Sequence, residues 1–362
     1  MLKITKPTMV LDRRKCLHNL ADMKEKARSS EVDFRPHFKT HQSALIGNWF
    51  RKAGIHSITV STVSMARKFC NYGWKDITIS LPVNILEVSE INELAKELNL
   101  NIVTESAGAL QFLESNLTYG VGVYVKVDTG YNRSGIGWKD LKQFSEIIKF
   151  IKGASKLKFI GLLTHSGQTY HVETRTEIIE IYNDTVLKMN YIREHFQDDV
   201  PEMKISIGDT PSCSLVQKFT GIDEIRPGNF IFYDLMQYSI GACSIDQVGL
   251  SVACPVIAKS PQRNEIVIYG GAAQLSKDFL FKSSGDRIYG YVVLYEGEEW
   301  TRPVKGTYLA RITQDHGIIK TTGEFFSSVK RGDVLGILPV HSCLTANLLK
   351  TYVTLDGENI DY

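Results

Sequence analysis

Short β-type segments alternate with helix-patterned segments through the first two thirds of this chain of 362 residues. Eight β-type segments occur, and a helical or crossover segment follows each of them. They lie at residues 32–37, 56–62, 76–82, 101–105, 121–128, 158–165, 204–208 and 223–226. The alternation predicts a parallel sheet, and eight strands are the number that closes a (β/α)8 barrel. An open doubly wound sheet is the alternative, although no GxGxxG motif follows the first strand.

Beyond residue 245 the pattern changes to short β-rich segments separated by Gly, Asp and Lys turns, with no convincing helix pattern among them. These segments lie at residues 249–258, 265–269, 287–295, 307–313, 333–338 and 350–355. The sequence therefore predicts a TIM-type barrel over residues 13–245 and an all-β domain over residues 246–362. The strand within residues 1–12 has no place in a barrel of eight strands, so we expect it to pair with the C-terminal domain.

Composition narrows the classes of function. A net charge of +2 gives no electrostatic basis for binding nucleic acid, and no basic run with interleaved aromatic residues occurs. No long apolar stretch predicts a membrane span, and the N-terminal residues lack the features of a signal peptide. Six scattered cysteines do not form a disulfide framework, and five of them are expected to be buried thiols in a reducing compartment. We expect a cytoplasmic protein.

Polar and ionisable residues follow most of the predicted strands. They include Lys39, His41, Thr62, Glu105, Asp128, Arg133, His165 and Arg226. In a barrel these strand ends meet at one mouth, where (β/α)8 enzymes carry their chemistry. Lys39 attracts the most interest, because a lysine among polar neighbours can be kept neutral, as a Schiff-base lysine must be. For a single Lys-Thr-His sequence, an ordinary surface loop is the simpler interpretation.

Two loops at the ends of the seventh and eighth strands predict a phosphate site. Gly208 lets backbone N–H groups approach an anion, and the hydroxyl of Thr210 adds a donor. Gly228 and Asn229 supply a second glycine with an amide donor beside it. Barrels often bind phosphate at these two strand ends, although each loop alone is also compatible with an ordinary turn.

Other strand ends offer groups that suit a planar ligand. Arg133, after the fifth strand, is a fixed cation that can hold a phenolate or carboxylate. His165 and Tyr170, after the sixth strand, offer an imidazole and an aromatic face. In the C-terminal domain, His341 and Cys343 are two residues apart and would project to one side of an extended backbone. Both are good zinc ligands, but His-x-Cys alone is a weak metal signal.

The motifs resemble those of fold-type III pyridoxal-phosphate enzymes, in the branch of D-threonine aldolase and D-serine dehydratase, which is related to the N-terminal domain of alanine racemase. The resemblance covers essentially the whole chain. It rests on Arg-Pro-His-Phe-Lys-Thr-His at 35–41, Asp-Thr-Gly-Tyr-Asn-Arg-Ser-Gly at 128–135, Gly-Asp-Thr-Pro at 208–211, Arg-Pro-Gly-Asn at 226–229 and His-Ser-Cys-Leu-Thr at 341–345.

The resemblance implies a homodimer with pyridoxal phosphate bound as a Schiff base to Lys39, and a divalent metal on His341 and Cys343. It further implies a role for each of several residues of the barrel. Thr210, Gly228 and Asn229 would hold the phosphate, Gln168 and Tyr170 would line the ring pocket, and Arg133 would approach the ring oxygen. The family commonly has a second glycine where this chain has Asp209, which places a negative charge near the phosphate unless the side chain points away.

The metal motif favours one activity within the branch. His-x-Cys resembles the zinc-dependent D-serine dehydratases, whereas the aldolases more often resemble His-x-Asp, which would also suit manganese. We therefore expect a lyase that converts D-serine or D-threonine to a 2-oxo acid and ammonia. Lys39 would take the α-proton, and His41 would assist proton transfer or tune Lys39. Retro-aldol cleavage to glycine and an aldehyde is the alternative, followed by amino-acid racemisation and non-catalytic pyridoxal-phosphate binding.

Overall fold

The computed structural model describes residues 3–361, which divide into two units. The barrel unit covers Asp22–Gly228, and the β unit combines the residues up to Ala21 with those from Asn229 onward. The described chain starts with strand β1 (Thr8–Leu11) and helix α1 (Arg13–Ser29).

All eight predicted β-type segments form strands of one parallel sheet in the barrel unit. They are β2 (Asp33–Phe34), β3 (Ser57–Val60), β4 (Asp76–Pro82), β5 (Asn99–Thr104), β6 (Val121–Asp128), β8 (Leu157–Thr164), β9 (Lys204–Ile207) and β10 (Glu224–Ile225), and the short β7 (Ile136–Gly137) pairs with β6. The strand order is β2-β10-β9-β8-β6-β5-β4-β3. A parallel bridge between His37 and Thr59 joins the two ends of the sheet. The predicted barrel is confirmed, and the open sheet is excluded.

Most helices of the barrel unit begin with a side-chain cap, and the longer ones bury one face. They are α2 (Ala44–Lys52), α3 (Val63–Asn71), α4 (Val88–Glu97), α5 (Ala107–Asn116), α6 (Leu141–Gly153), α7 (Arg175–Phe196) and α8 (Thr210–Leu215). Thr174 and Glu177 form a capping box at the start of α7. On α6, buried Phe144, Ile147 and Ile151 recur at helical spacing. Within residues 3–361, no helix is both long enough and apolar enough to cross a membrane.

The β unit is built on a sheet of nine strands. Its elements after the barrel are α9 (Leu235–Ser239), β11 (Leu250–Ser260), β12 (Glu265–Tyr269), α10 (Ala272–Leu275), β13 (Leu280–Phe281), β14 (Arg287–Ile288), β15 (Gly290–Val293), β16 (Tyr295–Glu296), β17 (Glu299–Trp300), β18 (Tyr308–Ile312), β19 (His316–Lys320), α11 (Gly323–Ser328), β20 (Val334–Pro339), α12 (Ser342–Leu349), β21 (Thr351–Thr354) and β22 (Asn359–Asp361). The strand order is β12-β19-β18-β15-β20-β11-β1-β21-β22. Strand β1 pairs antiparallel with β11 and parallel with β21.

Two expectations differ from the structure. The expected strand-rich C-terminal domain is confirmed, but the segment also contains the short helices α10, α11 and α12, which the sequence pattern did not predict. The division of the chain also lies at Gly228 rather than at residue 245. Residues 229–245 belong to the β unit because their backbone bonds there: Met236 N donates to the Val340 carbonyl at 3.1 Å, and Asn19 Nδ2 donates to the Ile231 carbonyl at 3.4 Å.

A buried ion pair lies in the barrel unit near the strand starts. Arg35 Nε donates to Glu224 Oε2 at 2.6 Å, and the same guanidinium also pairs with Asp76. The side chain of Glu224 is fully buried. Ser206 donates to its other carboxylate oxygen, so both oxygens of the buried charge are bonded. Such a charge is tolerated only while its partners remain in place.

Replacing Glu224 by Ala should destabilise the protein strongly, because the change leaves Arg35 buried with only Asp76 as a partner. We expect the free energy of unfolding to fall by about 3 kcal/mol. Denaturant titration should show this loss against Glu93→Ala, an exposed site on α4 where about 0.5 kcal/mol or less is expected. Equal stability of the two variants would contradict the assigned role of the pair.

Candidate active site

The loop that carries Lys39 follows the first barrel strand directly. Phe38 N donates to the Thr59 carbonyl at 2.8 Å, and His37 N donates to the Pro227 carbonyl at 3.0 Å. The chain is therefore hydrogen-bonded on both sides just before Lys39. The Lys39 side chain is exposed, and its backbone N–H donates to His37 Nδ1 at 3.3 Å. This arrangement holds the backbone of Lys39 in place and leaves its amine accessible to a ligand.

His37 is a site residue that the sequence interpretation missed. Its Nδ1 accepts from the Lys39 backbone, so its Nε2 donates to Ser80 Oγ at 3.0 Å. Burial, with the nearby charge of Lys39, holds the pKa of His37 well below the usual histidine range. The ring is therefore neutral at neutral pH. The sequence did carry a signal for His37. Arg35 and His37 are two residues apart in the β-type segment 32–37, and residues at that spacing face the same side of a strand.

The structure contradicts the predicted catalytic role of His41. Its side chain is only 1% exposed, and its Nδ1 accepts from the Ser43 backbone at 3.1 Å. The ring packs against Phe38, Phe50 and Phe69 at centroid distances of 4.4, 5.5 and 6.2 Å. Burial lowers its pKa to about 3. His41 is a neutral core residue at the start of α2.

The two loops predicted to bind phosphate are closely packed around glycines. A Cβ atom at Gly228 would lie 2.8 Å from the His37 carbonyl oxygen, and one at Gly208 would lie 3.0 Å from Arg226 Nη2. Only glycine allows the backbone to pass there without displacing its neighbours. The backbone N–H of Thr210 donates to the Tyr170 hydroxyl at 3.2 Å. The structure thus brings a residue predicted for the phosphate together with one predicted for the ring pocket.

Asp209 turns back into its own loop as the cap of α8. Its Oδ1 accepts from the Ser212 backbone at 2.7 Å and from Thr169 Oγ1 at 3.2 Å. Its Oδ2 is buried without a hydrogen-bond partner. Burial raises the pKa of Asp209 to about 6. Asp209 stands where the family commonly has a second glycine, and its carboxylate caps helix α8. Because one carboxylate oxygen has no hydrogen-bond partner, ionisation of Asp209 is costly.

The remaining ring-pocket residues cluster on the loops after β6 and β8. His165 Nδ1 donates to the Gly208 carbonyl, and its ring lies 5.9 Å from Tyr131 and 6.2 Å from Tyr170. Burial, with the charge of Lys39, holds the pKa of His165 well below its usual range. The Arg133 guanidinium lies 5.1 Å from the centroid of the Tyr131 ring. These contacts leave a neutral imidazole beside an exposed cation.

A second missed residue is Lys126, inside strand β6. It is 4% exposed, and burial together with the charges of Arg226 and Arg133 lowers its pKa to about 7. Arg226 itself is buried and donates to the Thr164 carbonyl at 2.6 Å. A lysine between valines in an otherwise apolar strand was the sequence signal for this position. Lys126 and Arg226 add cationic character to the barrel interior.

In the β unit, His341 and Cys343 meet at the start of α12. His341 precedes the helix in an extended conformation, and Cys343 lies in its first turn. The predicted pairing therefore holds, but the assumed extended backbone through Cys343 was wrong. Although burial disfavours the imidazolium, hydrogen bonds from His341 to Asp278 and Cys343 raise the pKa of His341 to about 11. Among residues 3–361, no group of three or more His, Cys, Asp or Glu side chains is arranged to hold a metal ion.

The side chain of Asn229 belongs to this second cluster. Its Nδ2 donates to Asp234 Oδ2 at 2.7 Å, to Ser342 Oγ at 3.0 Å and to Cys343 Sγ at 3.5 Å. Its amide nitrogen is therefore directed at Asp234, Ser342 and Cys343, and the predicted contact of this amide with a phosphate is not supported.

These features fit the two groups that the resemblance implies. In the barrel unit, Lys39 offers an accessible amine, the two glycine loops keep their backbone free of Cβ atoms at Gly208 and Gly228, and Gln168 Oε1 is buried without a hydrogen-bond partner. In the β unit, the imidazole of His341 and the thiol of Cys343 form a donor pair of the type that binds zinc.

Comparison with known proteins identifies the family. Residues 11–235 match the family model of the alanine racemase N-terminal domain, and residues 249–355 match the putative serine dehydratase domain. The chain belongs to the alanine racemase N-terminal domain family. Pyridoxal phosphate fits the fold-type III enzymes of this family.

Similar members of the family are named lyases. D-serine dehydratase of Dictyostelium discoideum is 28% identical over 94% of this chain and 91% of its own length. D-threo-3-hydroxyaspartate dehydratase of Delftia sp. is 26% identical over 99% of this chain and 96% of its own, and its solved structure superposes with a TM-score of 0.91. A cysteine-to-alanine mutant of that dehydratase, solved in a metal-free form, also gives a TM-score of 0.91. D-threonine aldolase of Arthrobacter sp. is 24% identical over 65% of this chain and 62% of its own. The prediction of a D-amino-acid lyase is confirmed.

Asp209 should make the stability of the ligand-free protein depend on pH. Its pKa is raised from 3.8 to about 6 on folding, so the folded state binds more protons between these values and is destabilised as pH rises. The penalty is absent below about pH 4 and reaches about 3 kcal/mol above pH 7. Asp209→Asn keeps a capping oxygen and removes the charge, so its thermal midpoint should exceed that of the wild type by a few degrees at pH 7.5 and by little at pH 4.5.

The matched control is Asp199→Asn, at an exposed carboxylate paired with Lys152 on the surface. Its midpoint should follow that of the wild type at both pH values. A difference between Asp209→Asn and the wild type that does not change with pH would contradict the buried ionisation.

Proposed function

We propose that this chain is a pyridoxal-phosphate- and metal-dependent lyase that dehydrates D-serine and related D-β-hydroxy amino acids to a 2-oxo acid and ammonia. The observation that carries the proposal is the contact between His341 and Cys343, in the segment that matches the putative serine dehydratase domain. A thiolate ligand favours zinc over harder cations such as manganese, so zinc is the metal that we propose.

Lys39 is the residue that we propose to hold the cofactor and to move the α-proton. Its Nζ extends from a loop that both neighbouring strand ends hold in place. Pyridoxal phosphate bound there would supply an electron-withdrawing ring that stabilises negative charge at the substrate Cα. The Nζ atom, once the substrate has taken its place, can take the proton from Cα as a general base.

His37 and His165 orient groups in this proposal and do not exchange protons at neutral pH. Both rings are neutral, and each uses Nδ1 in a fixed hydrogen bond with the backbone. Arg133 is the exposed cation that would hold the ring oxygen of the cofactor. Thr210 and Gly228 would hold its phosphate through backbone N–H groups and a hydroxyl, and Gln168 and Tyr170 would line the ring.

His341 and Cys343 are the residues that would hold the metal. A divalent ion there would supply a Lewis acid that polarises the β-hydroxyl of the substrate. Support comes from the metal-free form described for the cysteine mutant of the Delftia dehydratase. We further propose a homodimer, as the resemblance implies, and a cytoplasmic location, as the composition led us to expect.

Retro-aldol cleavage is the second candidate. The relative named D-threonine aldolase supports it, although the matching region covers a smaller share of both chains than the dehydratases do. The two reactions give different products, so one assay separates them.

Lys39→Ala should abolish covalent attachment of the cofactor, because the loop between β2 and α2 contains no second lysine that could replace Lys39. The purified wild-type protein with added pyridoxal phosphate should show a visible absorbance band that the variant lacks. Borohydride reduction followed by peptide mass spectrometry should find the cofactor on the peptide that contains Lys39.

Lys75→Ala is the control, because Lys75 is an exposed lysine just before β4, at the other end of the strands. It should keep the band and the labelled peptide. Retention of both in Lys39→Ala would refute the assignment of Lys39.

Incubation with D-serine should give pyruvate and ammonia, and D-threonine should give 2-oxobutyrate and ammonia. Chelation or Cys343→Ala should lower the rate by roughly 100-fold or more, since even outer-sphere changes cost metal enzymes 10- to 100-fold. Cys70→Ala, at a buried thiol on α3 that contacts Glu97, should leave the rate unchanged. Glycine and acetaldehyde as the main products from D-threonine would favour the aldolase instead.

A further inference from the structure

A carboxylate outside the His-x-Cys motif contacts the predicted metal ligand His341. Asp278 lies on the loop between α10 and β13, and its Oδ2 is 2.7 Å from His341 Nδ1. Because a carboxylate oxygen accepts, Nδ1 carries the proton of this hydrogen bond. The neutral ring then has its lone pair on Nε2, which is the atom left to face a metal.

The backbone around Asp278 is held in an unusual conformation. Ser276, two residues earlier, has φ 67° and ψ −177°, a region that residues other than glycine rarely occupy. Its hydroxyl accepts from the Asp278 backbone N–H at 3.2 Å. The end of α10 is therefore bent sharply, and the bend directs Asp278 toward His341. Strain of this kind persists where the surrounding structure requires it, and it is common at functional sites.

Cys343, the second residue of the His-x-Cys motif, is held in place independently of Asp278. Asp234 is 1% exposed, and its Oδ2 accepts from Asn229 Nδ2 at 2.7 Å and from the Ser342 backbone at 3.0 Å. Asn229 in turn donates to Cys343 Sγ at 3.5 Å, a contact that stabilises a thiolate. Each donor of the pair thus has its own supporting carboxylate, Asp278 for the imidazole and Asp234, through Asn229, for the sulfur.

We infer that Asp278 is a positioning residue that fixes the tautomer and the ring orientation of His341 for metal binding. The inference rests on the metal site of the proposed function and adds a residue 63 positions away in the sequence. A histidine ligand that donates its other ring nitrogen to a carboxylate binds metal more tightly, and loss of such a partner typically costs 10- to 100-fold in metal affinity.

The test measures zinc affinity of the full-length protein by competition with a chromophoric chelator. Asp278→Ala and Asp278→Leu both remove the acceptor, and the leucine keeps the branched shape of the aspartate. We expect each to weaken zinc binding by 10- to 100-fold. Asp278→Asn keeps an oxygen that can accept from Nδ1, so it should lose less than tenfold. Asp286→Asn, an exposed carboxylate next to β14 that bonds Ser284 and Tyr308, should match the wild type.

Cobalt substitution supplies a readout that a purely structural role would not change. The wild-type protein should show a thiolate-to-cobalt charge-transfer band from Cys343 and d–d bands set by the full ligand geometry. In Asp278→Leu the charge-transfer band should persist at saturating cobalt, because Cys343 is held separately, while the d–d bands should change. Asp278→Asn should restore the wild-type d–d pattern.

His341→Ala separates failure of this inference from failure of the proposed function. If His341→Ala binds zinc as tightly as the wild type, the proposed metal site itself is wrong. If His341→Ala loses zinc while Asp278→Ala and Asp278→Leu keep wild-type affinity, only the positioning role of Asp278 is overturned. Loss of folded protein in both Asp278 variants, judged by circular dichroism, would make Asp278 a structural residue and would also overturn the proposal.

Discussion

The closure of the barrel depends on a few backbone hydrogen bonds around residues 36–38. Strands β2 and β10 contain only two residues each, so little regular pairing holds this side of the sheet. Thr59 N donates to the Pro36 carbonyl at 2.9 Å, Phe38 N donates back to the Thr59 carbonyl, and His37 N bonds the Pro227 carbonyl on the other side. Lys39 follows one residue later. The bonds that close the barrel therefore also fix the backbone of the predicted cofactor lysine. A side chain on this loop is thus held nearly as rigidly as one on a strand.

Burial then decides the charge of the groups around that lysine. The imidazoles of His37 and His165 are neutral because desolvation and the nearby cations both disfavour a further positive charge. Arg226 stays charged because a guanidinium does not lose its proton in proteins, whereas Lys126 titrates near neutrality. The region can thus attract anionic groups such as phosphate and carboxylate, while its neutral rings offer contact surfaces. Asp209 is an acidic group in the same region, and its raised pKa reflects the free-energy cost of ionising a buried carboxylate.

Local signals explain which features could be predicted from sequence. The eight strands and the longer helices repeat apolar residues at a fixed spacing, so the barrel was predicted correctly. Helices α10, α11 and α12 span only four to eight residues. Segments this short show too few helical repeats to be distinguished from the neighbouring short strands by their apolar spacing, so they were not predicted. Lys39 and the glycine loops belong to a motif and were placed correctly at strand ends. His41 was misassigned because its burial among aromatic rings depends on packing with α2 and α3, which the motif does not encode. Asp278 carries no motif at all, since its contact with His341 arises only from the folded β unit.

The residues that identify the cofactor are not those that determine which bond breaks. Lys39, the glycine loops and the neutral histidines would serve any reaction that develops negative charge at Cα, whether the Cα proton is removed or the Cα–Cβ bond breaks, so they suit a racemase, an aldolase and a dehydratase equally. Dehydration requires the β-oxygen to leave as water, whereas retro-aldol cleavage requires the same oxygen to lose its proton. The group that controls this oxygen therefore determines the product, and in the proposed function that group is held by His341 and Cys343. Because a ligand pair can control an oxygen only if its own geometry is fixed, the carboxylates behind it, Asp278 and Asp234, would contribute to the choice of reaction in the proposed function, although neither belongs to the His-x-Cys motif.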